Sequence, residues 1–142
     1  MARITLDQAN RVIAAAIAKG HELGLKPLSV AVLDPGGHLI AFQRQDAAST
    51  LRPQIACGKA GGALALGVSS RKIADMAVER PTFVGALASM SAHGIIPAAG
   101  GVIVVDGAGA TIGAVGVTGD TSDKDEACAL AGIAAAGLEP QE

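Results

Sequence analysis

The chain has no tryptophan or tyrosine, and Phe42 and Phe83 are its only aromatic residues. Modules that bind single-stranded nucleic acid stack bases on aromatic side chains, so that class is excluded. A basic excess is missing too: Lys and Arg number 11 against 13 Asp and Glu, for a net charge of -2. A protein that grips phosphate backbones carries a positive footprint, which this one lacks. Cysteine is scarce: Cys57 and Cys128 match no CxxC pattern and read as small buried hydrophobes of a reducing compartment. The first seven residues contain no apolar run, so no signal peptide is expected and a cytoplasmic location is. Residues 81–105 lack Lys, Arg, Asp and Glu, but Pro97, Gly100-Gly101, Ser89, Ser91 and His93 interrupt them. That segment reads as a short helix, a loop and a strand, with no membrane span.

What the chain has in abundance is small residues. Of 142 residues, 30 are Ala and 19 are Gly. Such surfaces bring backbones close together but bury little area each, so tight helix packing is expected, with further burial by homo-oligomerisation. Half of the chain is apolar and 17% is charged, which excludes disorder. The length suits one domain over 1–142.

Thr5 and Gln8 form a capping-box pair, and Leu6, Ala9, Val12, Ile13, Ala16, Ile17 and Leu23 follow at helical spacing up to Gly24. His21 borders that apolar face. Leu28 to Leu33, the turn Asp34-Pro35-Gly36-Gly37 and His38 to Arg44 predict a β-hairpin, with His38, Ile40, Phe42 and Arg44 on one face. Ser49 or Thr50 is expected to cap a helix over 51–66, and Ser69 or Ser70 one through Val78. In the first of these, Lys59 falls on the packed side, and Gly61 and Gly62 imply close approach of another backbone, within the chain or from another subunit.

A short helix from Pro81, a strand at 94–97, a second hairpin over 102–105 and 111–118, and a last helix over 123–136 complete the chain. Ser122 and Asp125 resemble a capping box there. Tight hairpins force antiparallel pairing, so the fold class is α+β.

Gly107 and Gly109 do not make a dinucleotide fingerprint, because the third position, 112, is Ile; they read as a hairpin turn. His21, His38 and His93 stand on different elements without metal-ligand spacing. Three sites merit attention. His38, Arg52 and Lys59 could serve an acid: Arg52 clamping a carboxylate, His38 moving a proton, Lys59 stabilising negative charge. Gly119 to Ser122 open a helix, but Asp120, Asp123 and Asp125 serve its dipole themselves. His21 could ligate haem iron through one imidazole nitrogen.

Several blocks fall in the order of one known family. They are Ser29-Val30-Ala31-Val32-Leu33-Asp34-Pro35-Gly36-Gly37-His38-Leu39, Leu51-Arg52-Pro53, Gly58-Lys59-Ala60, Gly100-Gly101-Val102, Gly113 to Gly119 and Asp123 to Ala127. Over residues 3–138 the chain resembles the GlcG/HbpS family, also described as haem-degrading or DUF336 domains. The resemblance implies a profilin-like, five-stranded antiparallel sheet flanked by α-helices, assembled into homo-oligomers. It also implies haem, or a related tetrapyrrole, as a cofactor. Some members use a first-helix histidine as ligand, which points to His21 here, with Arg11 or Lys19 meeting the propionates. With so few aromatics, haem would sit at a shallow or subunit-shared site. Two other functions stay open: an enzyme or binder of small hydroxy or oxo acids through His38, Arg52 and Lys59, and a ligand-free structural or interaction protein.

Overall fold

The computed structural model describes residues 2–142. The Thr5 hydroxyl accepts from Gln8 N–H while the Gln8 side chain accepts from Thr5 N–H, so the expected capping box opens α1 (Leu6–Glu22). Ala9, Val12, Ile13 and Ala16 are buried along it. Leu6 and Leu23, which the spacing puts on the same stripe, are 59% and 42% exposed. They sit at the helix ends, outside the packed middle turns.

The first hairpin pairs β1 (Ser29–Leu33) with β2 (Leu39–Arg44). Its turn is held by the Asp34 carboxylate, which accepts from Gly36 N–H and His38 N–H at 2.9 and 3.0 Å. The second pairs β3 (Gly101–Val105) with β4 (Thr111–Thr118). β1 also pairs antiparallel with β4, and β5 (Glu139–Pro140) closes the far edge, giving the order β2-β1-β4-β3-β5. The five-stranded antiparallel sheet and the α+β class are as expected.

Two expectations about strands are corrected. The fifth strand is not at 94–97. Gly94 takes φ 76° and Pro97 has no N–H, and this segment covers a helix instead. The period of two in β2 also breaks: a register shift between Val32 and Leu33 lets Ile40 and Ala41 both pack against the main core.

The remaining helices are α2 (Arg52–Leu66), α3 (Ser70–Glu79), α4 (Pro81–Leu87) and α5 (Ser122–Ala135), with a 3₁₀ turn at Ala88–Met90. Among the described residues no helix is long and apolar enough to cross a membrane. Ser69 caps α3 as expected. Ser49 and Thr50 do not cap α2. Ser49 uses its carbonyl to accept from Arg52 N–H, and Leu51 becomes an N-cap without a side-chain bond. Nor does Ser122 cap α5, because Asp125 turns inward.

One face of the sheet carries Val30, Val32, Val102, Val104, Val115 and Val117, packed on α1 and α5 through Val12, Ile13, Cys128 and Ile133. The other carries small residues under α2. There Leu33 and Ala114 meet Ala60, and Gly116 lies against the Ala56 carbonyl so closely that a Cβ would clash. Gly58 and Gly61 of α2 are filled by Ile96 and His93 of the same chain. The close approach expected at the α2 glycines is therefore satisfied within the subunit. α3 and α4 form a satellite cluster around Ile73, Val84 and Ile95.

Candidate functional site

His21 stands on the last turn of α1, at the mouth of a cleft of about 580 Å³ lined by Gly20, His21, Leu25, Pro27, Arg44, Gln45 and Asp46. Its Nε2 lies 3.4 Å from Gln45 Nε2. The Gln45 amide is oriented by its other end, since Oε1 accepts from Leu28 N–H at 2.7 Å. An amide nitrogen only donates, so His21 Nε2 is the acceptor and neutral His21 carries its proton on Nδ1. The lone pair suited to a metal therefore faces the cleft rim, held by one long hydrogen bond. No aromatic residue lines this cleft.

Of the cations expected beside it, Arg11 pairs with Asp7 at 3.0 Å and Lys19 with Glu22 at 3.4 Å. Neither lines the cleft, whereas Arg44 does. Sequence reasoning missed Arg44 because only the β1–β2 register carries it there.

Arg52 and Lys59 do come together, at one end of the sheet. Lys59 is 3% exposed, and its ammonium donates to the Val117 carbonyl at 3.0 Å and the Asp125 carboxylate at 3.2 Å. Asp125 also accepts from Asp120 N–H at 2.9 Å, so the pair ties α2 to the start of α5. Burial dominates both groups: desolvation lowers the pKa of Lys59 and raises that of Asp125, each against the attraction of its partner. Arg52 donates to Thr118 Oγ1 at 2.8 Å.

His38 is elsewhere. It lies beyond Leu33, while Arg52 reaches Thr118 beside Ser29, so about 13 Å of β1 separates the two ends. Its side chain is 82% exposed and touches Asp34 at 3.3 Å. The structure thus brings two of these three residues together and leaves His38 at the hairpin tip. His93 Nε2 bonds the Gly37 carbonyl at 2.7 Å. Asp120 accepts from Lys26 N–H and Thr121 N–H, so the loop before α5 satisfies itself. Among the described residues no three His, Cys, Asp or Glu side chains cluster to hold a metal. Burial raises the pKa of both thiols, that of Cys128 to about 11.

The model of the family described as "Haem degrading protein HbpS-like" matches residues 4–134. The chain is 34% identical over 125 residues to the uncharacterized 15.0 kDa protein of the dhaT-dhaS intergenic region of Citrobacter freundii, covering 88% of this chain and 86% of that one. Its fold is similar to HbpS, with a TM-score of 0.81, 29% identity and coverage of 94% and 90% of the two chains. It is also similar in fold to PduOC in its haem complex, with a TM-score of 0.86, 20% identity and 99% of each chain covered. With one antiparallel sheet in the order described and a family model spanning nearly all of it, this chain belongs to the HbpS-like family.

Proposed function

We propose that this chain binds haem, or a related tetrapyrrole, in the cleft at the end of α1, with His21 as the axial ligand. The observation that carries the reading is the state of His21: its Nε2 lone pair lies at the rim of an open cleft and is held only by the Gln45 amide. The residues present fit the group in kind, since a neutral imidazole is a common haem-iron ligand and Arg44 on the same rim suits a propionate. The haem complex of a similar fold and the description of the family support the same class of ligand.

When bound, the group would supply an iron centre whose chemistry is set by its axial ligand. Before the group binds, Leu28, Gln45 and His21 in series hold the imidazole in one tautomer, and iron would take the Nε2 lone pair in place of the Gln45 amide. The cleft is open and without aromatic walls, so a flat macrocycle would stay partly exposed unless a second subunit covered it. Leu23, 42% exposed beside this end of α1, suits such a shared site and the homo-oligomer we propose with it.

The test is a hemin titration of the purified chain followed in the Soret region. Wild-type protein should shift the band to a saturable end point, and His21→Ala should abolish or displace that end point. An unshifted band, or one identical in His21→Ala, would remove His21 from this role.

A further inference from the structure

A second site stands at the opposite end of β1 from the first hairpin turn, and its signature is an excess of donors. Ser29 is fully buried, and its Oγ has no hydrogen-bond partner. Native structures leave few such groups, so each one asks what completes it. The register places Ser29 directly opposite Thr118, so both hydroxyls stand on one face of the sheet. That face is the one under α2, because Thr118 Oγ1 accepts from Arg52.

Arg52 itself presents five N–H donors and places one of them on Thr118. Among the described residues no carboxylate lies within ion-pair distance of it. Lys59, the neighbouring cation, is taken up by Val117 and Asp125. The first turn of α2 adds to the imbalance, with no acidic residue and no capping side chain. Asp125 is the one buried carboxylate nearby, and with Arg52 and Lys59 it leaves one positive charge over.

We propose that this end of the sheet binds the carboxylate head of a small organic acid. Arg52 meets it with its planar fork, and Ser29 and Thr118 donate their hydroxyl protons. A carboxylate only accepts, carries the missing negative charge, and matches guanidinium geometry in a way a spherical halide does not. Ser29 is closed to solvent, so the head enters as the connector over residues 45–51 shifts. That connector leaves β2 at the residue paired with Ser29 and holds Ala47 at φ 68°, a conformation non-glycine residues rarely adopt. His38 and Lys59 take no part. Ser29, Thr118 and Arg52 do not line the His21 cleft, although the connector that closes this site begins with Gln45 of that cleft.

Thermal unfolding of the full chain in acetate, in inorganic phosphate and in chloride, at matched ionic strength, tests the proposal. Acetate should raise Tm beyond chloride in a saturable way. Ser29→Ala and Arg52→Gln should each weaken the apparent acetate affinity by about tenfold, the worth of one charge-assisted hydrogen bond. Without acetate, Ser29→Ala should unfold no lower than wild type, because it removes an unpartnered hydroxyl. Arg52→Gln should leave the hemin titration unchanged. Equal responses to acetate and chloride would mean that water alone fills the site and would overturn the proposal. So would a response to phosphate without one to acetate, an acetate response unaltered in both variants, or loss of hemin binding in Arg52→Gln.

Discussion

A single side-chain amide, Gln45, selects the tautomer of His21, the residue on which the proposed haem binding rests. Its oxygen is committed to Leu28 N–H, so the nitrogen faces His21 and leaves Nε2 as the acceptor. Gln45→Glu keeps the bond to Leu28 but offers His21 an acceptor in place of a donor. The imidazole would then move its proton to Nε2 and lose the lone pair that iron would take. Hemin affinity should fall by about tenfold, from a charge-assisted bond of about 1–2 kcal/mol. Soret titrations of wild type and Gln45→Glu would show the loss.

Asp34 is the second residue whose charge state carries weight. The bond from His38 N–H holds its carboxyl below the usual 3.8 against the opposing effect of burial, and Gly36 N–H adds a smaller contribution in the same direction as His38. A depressed folded pKa stabilises the fold above the unfolded value and loses that contribution as pH falls through the folded one. Asp34→Ala should therefore lower stability at pH 7 by about 1–2 kcal/mol, the worth of two exposed turn bonds. The gap to wild type should narrow as the pH drops below 3.8, which a series of urea melts would follow.

At the scale of elements, the pair of Lys59 and Asp125 joins helices that lie on opposite faces of the sheet. Both groups are almost fully buried, at 3% and 1% side-chain exposure. Removing one partner strands the other charge. Lys59→Met should cost about 3–5 kcal/mol, whereas Lys59→Met with Asp125→Asn should cost clearly less, because the double variant buries no unpaired ion. The Asn oxygen keeps the bond from Asp120 N–H. Denaturant melts of the single and double variants check this, and a double variant no better than the single one would assign the loss to packing around Lys59. Two glycines at the start of β3 explain why Lys59 can reach so far: Gly100 and Gly101 carry no Cβ where the lysine and its carbonyl pass.

For the molecule as a whole, the accessible surface is 6965 Å² at 13.9 kDa. A compact monomer of that mass exposes about 6,700 Å², so the single chain has an ordinary compact surface. Any assembly then draws on local apolar exposure, such as Leu23 beside the His21 cleft. Sedimentation with and without hemin would check the shared site proposed there. Hemin should increase the oligomer population of wild type and leave that of Leu23→Glu unchanged, with His21 intact in both.

What was legible from sequence alone was mostly local. Thr5 and Gln8 announce the start of α1, and the Asp34-Pro35-Gly36-Gly37 turn announces the first hairpin. Helix caps and turns are short-range bonds, so neighbouring residues suffice to specify them. The ordered blocks from Ser29 to Ala127 also pointed to the family that the fold and the family match then showed.

Tertiary structure decided what depends on partners distant in sequence. The fifth strand is Glu139–Pro140, two residues with no strand signature, which pair only because β3 has a free edge. Asp125 reads locally as a helix cap but binds Lys59, 66 residues away, since a buried ammonium outcompetes a helix terminus for a carboxylate. His38 and Arg52 look like neighbours along the chain, yet strand geometry sets them at opposite ends of β1. Arg44, Ser29 and Thr118, unremarked as a set in the sequence, become one row across three strands through register alone.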